Sequence, residues 1–154
     1  MVTKRRRHIT DAQRRKRVKP LIDAWSRRLG LQGEWSIAYR FVSKLDGGTR
    51  EPFADITTQA PYHRAFINFV RMHVDAAPRI ELELVVVHEL AHLLLQDIKQ
   101  VLEDVVGNQS WLASQLHDGL EGAVDRVANT LMALHYGRPV EPYQDQNLVG
   151  GGKA

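Results

Sequence analysis

The sequence predicts one domain of the α+β class, with strands in its first half and helices in its second. Three short segments rich in β-branched and aromatic residues, 34–43, 53–59 and 63–70, have the composition of strands. A long helical pattern with an apolar centre follows at 79–104, and another at 119–136. Strands and helices that are segregated along the chain are typical of α+β domains. The 154 residues suffice for a single compact core.

The composition excludes several classes of protein. Hydrophobic residues make up 44% and charged residues 25%, which are ordinary globular values. Because the chain has no cysteine, disulfide scaffolds, cysteine zinc sites and thiol catalysis are excluded. No apolar run approaches the roughly 20 residues that span a bilayer. The basic N-terminus lacks the apolar segment of a secretory signal. We therefore expect a cytoplasmic protein without membrane contact.

Charge is distributed unevenly along the chain. The formal net charge is +3, but nine of the 21 lysines and arginines lie in residues 1–19, together with a single acid. We interpret residues 1–19 as a basic N-terminal arm, 20–137 as the folded domain and 138–154 as a flexible C-terminal tail. A basic arm is typical of contacts with nucleic acid or an acidic partner, although a merely solvated terminus has the same composition.

The arm is expected to continue into a first helix. Thr10 or Asp11 can cap its N-terminus, and Gly30 can end it. Pro20 disfavours a single straight helix and suits the first turn of a shorter one. The apolar stripe of this helix consists of Val18, Leu21, Ile22, Trp25 and Leu29. Five arginines are predicted to lie on or beside its solvated face: Arg14, Arg15, Arg17, Arg27 and Arg28.

The remaining connections follow from glycine and proline positions. Residues 46–48 predict a turn, and residues 60–62 predict a hairpin connection between the second and third strands. Residues 72–78 are expected to form a loop, and Gly107 with Asn108 should end the long helix.

The sequence His-Glu-Leu-Ala-His at residues 88–92 lies inside the long apolar helix. Positions i and i+4 of a helix share one face, so His88 and His92 can bind the same ion. Neutral imidazole is a zinc ligand, and Glu89 is placed to take a proton from a zinc-activated water and return it. Burying two histidines here without a metal would be costly. The pattern therefore predicts a Zn²⁺ site with Glu89 as general base. The alternative is two structural histidines in a packed core.

A catalytic zinc site needs a third protein ligand and leaves the fourth position to water. Glu121 is the favoured candidate. Asp125, one turn later on the same helix face, can bond the free ring nitrogen of a ligand histidine. His117 is the main rival as third ligand. Leu95 stands where a ligand from the same local stretch would need a glycine to turn the chain, so that arrangement is rejected. The alternative for both acids is a favourable helix-dipole contact and a solvated side chain.

The motif at 88–92 followed by Glu121-x-x-x-Asp125 resembles the gluzincin metallopeptidases, which carry an HExxH helix and an ExxxD helix. The short chain is most similar to the compact minigluzincins and to the ImmA/IrrE-type peptidases, over residues 34–136. The resemblance implies a zincin-like fold, in which a short antiparallel sheet packs on the HExxH helix and a second helix bears the third ligand. The implied roles are zinc ligands His88, His92 and Glu121, general base Glu89 and supporting acid Asp125.

The resemblance also gives one strand a role. In small zincins the strand before the active helix forms the upper rim of the cleft, where an extended peptide can pair with it. The matching segment is 63–70, or 53–59 if that strand lies at the edge. A donor for the developing oxyanion is also expected. Spacing selects none of its candidates, which are Tyr62, His63, His73, His117, His135 and Tyr136.

Two functions are consistent with these residues. The first is zinc-dependent hydrolysis of a peptide or protein substrate. The second is a non-catalytic module whose zinc site is closed by a fourth protein ligand and which contacts nucleic acid or a protein through residues 1–19. Glu89 favours the first, because a structural site does not need a carboxylate beside its ligand. A narrow protein substrate, or one supplied by a partner, is expected, because so short a chain has little room for a deep specificity pocket.

Overall fold

A computed structural model describes residues 9–45, 52–107 and 109–140. One sheet is formed by β1 (Ser36–Val42), β2 (Ala54–Gln59) and β3 (Arg64–Val70). The described helices are α1 (Asp11–Arg28), α2 (Arg71–Ala76), α3 (Arg79–Leu94), α4 (Gln96–Val106) and α5 (Ser110–Tyr136). The α+β class is confirmed, and all three predicted strands are present with slightly shorter bounds. The predicted turn at 46–48, the first eight residues of the arm and the tail from 141 lie outside the described residues.

The sheet is mixed, so the prediction of a short antiparallel sheet is only partly right. The strand order is β1-β3-β2, with β3 in the centre. β2 and β3 form the predicted antiparallel hairpin through a 3-10 turn at Ala60–Tyr62, whereas β1 pairs with β3 in parallel. Two parallel strands must be joined by a crossover connection. The connection from β1 to β3 contains β2. In this order β1 and β2 are the edge strands and β3 is paired on both sides, so the alternative in which 53–59 contains the edge strand applies rather than 63–70.

α1 is one continuous helix that begins inside the predicted arm. Thr10 caps it through a reciprocal capping box with Gln13, as one of the two predicted caps. Pro20 lies in the helix interior on the exposed side, not in the first turn of a shorter helix. The predicted apolar stripe is confirmed, since four of its members are buried and Leu29 packs partly against the core.

Two arginines that were expected on the solvated face of α1 instead hold α2 in place. Arg14 is buried and donates Nε and Nη2 to Asp75 at 2.7 and 2.6 Å. Arg17 is half-buried and donates to the backbone carbonyls of Val74 and Ala77 at the end of α2. The prediction of a solvated face is wrong at Arg14, because its acidic partner lies 61 residues away in the sequence.

Two further predictions are corrected by the helices after the sheet. The expected loop at 72–78 contains α2, which buries Val74 and ends before Pro78. The pattern at 79–104 forms two helices, because α3 ends at Leu94 and α4 begins at Gln96. The break turns the Gln96 side chain inward, where it is buried and accepts a hydrogen bond from Thr58 Oγ1 of β2 at 3.0 Å.

α5 begins nine residues earlier than predicted, at Ser110 rather than at 119. Its buried residues, Val124, Ala128 and Met132, all lie in its C-terminal half, whereas Trp111 near its start is 63% exposed. The last turn of α5 is connected to α3 and α1 by hydrogen bonds to one buried carboxylate. Glu83 of α3 accepts hydrogen bonds from Trp25 Nε1 of α1 at 2.8 Å and from Tyr136 Oη of α5 at 2.6 Å.

The core lies between the inner face of the sheet, α1, α3 and the second half of α5. Its largest fully buried side chains include Phe69 and Ile67 of β3 and Leu82 and Leu90 of α3. Of the helices described, none is long and apolar enough to cross a membrane.

Candidate metal centre

The side chains of two histidines of α3 and one glutamate of α5 converge in the structure. His88 Nε2 lies 3.6 Å from Glu121 Oε2, and His92 Nε2 lies 3.6 Å from Glu121 Oε1. One ligand atom from each of the three residues lies within 4.8 Å of the other two. The two imidazoles share a helix face one turn apart, with ring centroids 5.1 Å apart. α3 and α5 pack along each other, which brings Glu121 over this face.

The chemistry of these donors fits a tetrahedral zinc ion. Two ligands about 2.1 Å from such an ion lie about 3.4 Å apart. Both observed separations between imidazole and carboxylate atoms, 3.6 Å, are close to this value. Two nitrogen donors and one oxygen donor are also a ligand set found in catalytic zinc sites.

Asp125 lies beside His88, one turn after Glu121 on α5. Its Oδ1 lies 3.0 Å from His88 Nδ1, which is the distance of an N–H···O hydrogen bond. A proton on Nδ1 leaves Nε2 as the lone-pair donor, and Nε2 is the atom that faces Glu121. The structure thus brings together all four residues that the sequence assigns to binding or supporting the ion, His88, His92, Glu121 and Asp125.

No family model, curated protein or solved structure matches this chain.

Glu89 occupies the inner side of the same cluster. Its side chain is 4% exposed and lines the cavity beside His88 and His92. The pKa of Glu89 is raised from its ordinary 4.5 to about 7. Burial is the main cause, His88 opposes the shift, and the nearby carboxylates of Asp55 and Glu121 contribute to it. A buried carboxylate with such a raised pKa can both accept and donate a proton near neutral pH.

The two histidines have different electrostatic surroundings. The pKa of His92 is lowered from its ordinary 6.5 to about 4. Burial is the main cause, the Glu121 carboxylate opposes it, and His88 and Lys99 add to the shift. Burial also acts to lower the pKa of His88, but Glu121, Glu89 and Asp125 outweigh it, so that this pKa is raised. The same contacts lower the pKa of Glu121, mainly through its interaction with His88.

A cavity of about 640 Å³ opens in front of the cluster. One wall is β2, which contributes Ala54 to Thr58. The opposite wall is formed by Leu120 and Glu121 of α5, just before the buried half of that helix. A second cavity, of about 350 Å³, adjoins it at the His88 end. Its lining is mainly apolar and consists of Pro52, Phe53, Ala54, Leu84, Val85, His88, Glu89, Asp125, Ala128 and Asn129.

Of the six candidate oxyanion donors, the structure brings His117 alone to the larger cavity. His117 precedes Glu121 by one helical turn on the same face of α5. It is not a member of the group whose ligand atoms converge, so its rival role as third ligand has no support within the described residues.

The other five donors have different surroundings. His63 packs against Trp35, and His73 stacks on Phe53. His135 packs edge-on against Trp25, and Tyr136 donates to Glu83. Tyr62 is 74% exposed in the hairpin turn.

Sequence reasoning missed several residues of the cavity wall. Lys99 and Gln96 line it from α4, and Asp55 and Thr58 line it from β2. The position of Gln96 could have been noticed in the sequence, because this polar residue interrupts an apolar run directly after Leu95. Asp55, Thr58 and Lys99 carried no such signal, because their approach to the cavity depends on how β2 and α4 pack around α3.

Proposed function

We propose that this protein is a zinc-dependent peptidase. The proposal rests chiefly on one observation, the convergence of one ligand atom each from His88, His92 and Glu121 within 4.8 Å of one another. Zinc bound there would polarise a substrate carbonyl and a water molecule. A zincin-like arrangement of the fold is part of this proposal. It is supported by the order of the sheet, α3 and α5 along the chain and by the packing of α3 against β2 and α5.

Open space beside the ligands supports catalysis over a closed structural site. A structural zinc is surrounded by four protein ligands, whereas a catalytic one keeps a position open. Among the described residues the convergent group has three members, and it faces the 640 Å³ cavity. His117 and Lys99 line that cavity without joining the group.

The protein groups around the ligands have separate tasks in this reaction. Glu89 takes a proton from the attacking water and passes it to the leaving nitrogen of the cleaved peptide bond. Asp125 fixes the tautomer and ring orientation of His88. His117 donates an N–H to the oxygen on which negative charge develops. β2 holds an extended substrate by main-chain hydrogen bonds at the free edge of the sheet.

The test combines metal analysis with peptide hydrolysis. Wild-type protein should bind about one zinc per chain and cleave members of a quenched fluorescent peptide library. Glu89→Gln should keep the zinc and lose hydrolysis by about 10²–10⁴-fold, because general acid–base catalysis contributes that much. Glu121→Ala should lose the zinc as well.

Glu81→Gln on the same helix is the matched control and should behave like the wild-type protein. Hydrolysis by Glu89→Gln at the wild-type rate would refute the mechanism. Zinc binding that is unaffected by Glu121→Ala would refute the ligand set.

A further inference from the structure

The sheet has a second face that points away from the core. Side chains alternate along a strand, and the inward set, which includes Ala65, Ile67 and Phe69 of β3, belongs to the core. The opposite set contains Phe66, which is 42% exposed although it lies in the central strand. Its two strand neighbours on this face, Arg64 and Asn68, are polar. This outer sheet face contains none of the convergent ligands His88, His92 and Glu121, although its β2 residues Asp55 and Thr57 also line the 640 Å³ cavity.

The Phe66 ring is flanked by small residues. The register pairs Phe66 with Ala38 of β1 on one side and with Thr57 of β2 on the other. Both neighbours are exposed, and both are too small to cover an aromatic ring. A groove of about 460 Å³ results, lined by Ala38, Tyr39, Arg40, Thr57, Phe66, Ile67 and Asn68. The face of a phenyl ring is therefore accessible from solvent in the middle of this groove.

Arginines stand on both sides of the ring along the strand direction. Arg40 is paired with Asn68 in the register and donates Nε to Asn68 Oδ1 at 2.6 Å. Asn68 in turn donates Nδ2 to Asp55 Oδ1 at 2.6 Å, which fixes the amide and, through it, the guanidinium. Arg64 lies four residues from Asn68 on β3, about 13 Å along the strand. Its guanidinium carbon is 5.9 Å from the centre of the exposed Tyr62 ring.

We propose that the outer sheet face binds a single-stranded nucleic acid. A base would stack on Phe66, which is possible for any base because each has a π-face. Arg40 and Arg64 would contact the phosphates on either side. Aromatic side chains on an open sheet, with cationic groups beside them, are a general solution for binding unpaired bases.

The charges favour this occupant over an apolar peptide or a second sheet. An apolar partner would cover Arg40 and Arg64 without pairing them, which is costly. Of the strand residues on this face, Asp55 alone is acidic, and it already accepts a hydrogen bond from Asn68. The basic segment 1–19 on the same chain would add attraction for a polyanion without reading its sequence.

The test is fluorescence anisotropy with a labelled 20-nucleotide oligo-dT and the full-length protein. Wild-type binding should weaken as salt rises. Phe66→Ala should weaken it by about 5- to 100-fold, because stacking on an aromatic side chain contributes this much per base. Phe66→Tyr should retain most of it. Arg64→Glu should weaken binding and reduce its dependence on salt.

Trp111→Ala is the matched control, because Trp111 is an exposed aromatic residue on α5, away from the sheet. It should bind like the wild-type protein. Thermal unfolding of Phe66→Ala should show a folded domain, and its zinc content should be unchanged, so that the result is independent of the proposed peptidase site. The proposal is overturned by absence of oligo-dT binding, by equal binding of Phe66→Ala and Trp111→Ala, or by binding that depends on residues 1–8 and not on Phe66 or Arg64.

Discussion

Asp125 offers a graded test of the metal centre. Its carboxylate lies 3.0 Å from Nδ1 of His88, and its side chain is 64% exposed. Partners of this kind typically change metal affinity by 10- to 100-fold when removed. In Asp125→Ala, water can reach the exposed position and accept the imidazole N–H in place of the carboxylate. We therefore expect the lower end of that range, about a tenfold weaker zinc affinity, which corresponds to about 1.4 kcal/mol.

The assay is a zinc titration in competition with a chromogenic chelator, on the full chain. Asp125→Asn should fall between the wild-type protein and the alanine variant, because its side-chain oxygen still accepts a hydrogen bond but carries no charge. Asp118→Ala is the control, since Asp118 is an exposed acid on the same helix and is not part of the convergent group.

Equal zinc affinity in Asp125→Ala and Asp118→Ala would refute the reasoning, because it would mean that the packing of α3 alone orients His88. A loss as large as that of Glu121→Ala would also contradict it, since Asp125 would then behave as a ligand.

Two further predictions concern His117 and Asp11. His117→Ala should lower kcat by about 10²–10³-fold with KM and zinc affinity unchanged, as for the loss of an oxyanion donor. His117→Gln should recover part of the rate, whereas a loss of zinc would identify His117 as a ligand instead. Hydrogen bonds from Arg71 and Arg14 lower the pKa of Asp11 from its ordinary 3.8 to about 2. The contribution of the charged Asp11 to stability is therefore fully present above pH 3.8 and is lost as the pH falls towards 2. Asp11→Asn should flatten that part of the plot of Tm against pH, and an unchanged plot would contradict the assignment.

The four residues of the candidate site that the sequence predicts are identified by their spacing within helices. His88 and His92 share a face because they are four residues apart, and Glu121 and Asp125 share one for the same reason. The structure places these two pairs against each other, as the resemblance implied. Local periodicity could not select among six candidate oxyanion donors, because proximity to the cavity depends on the packing of α5. His117 is distinguished from the others only by that packing.

The errors in the fold have related causes. The break between α3 and α4 has no glycine or proline, and it coincides with a hydrogen bond from Thr58 to Gln96 across 38 residues. The parallel pairing of β1 with β3 likewise depends on a crossover that alternation within a strand does not encode. The helical position of Arg14 predicts contact with solvent, yet Arg14 is buried by its pairing with the half-buried Asp75. These three errors involve contacts between distant residues, which a local pattern does not contain.

The uneven burial of α5 has a consequence for how such a protein can diversify. Glu121 lies just before the buried residues Val124, Ala128 and Met132, whereas the preceding turns, which carry His117 towards the cavity, have no buried residue. Substitutions at exposed positions usually change the free energy of unfolding by less than about 0.5 kcal/mol. The exposed residues of 110–120 other than His117 can therefore vary widely while the part of the helix that bears Glu121 stays anchored. Natural or laboratory evolution could reshape this wall of the cavity without rebuilding the cluster of His88, His92 and Glu121.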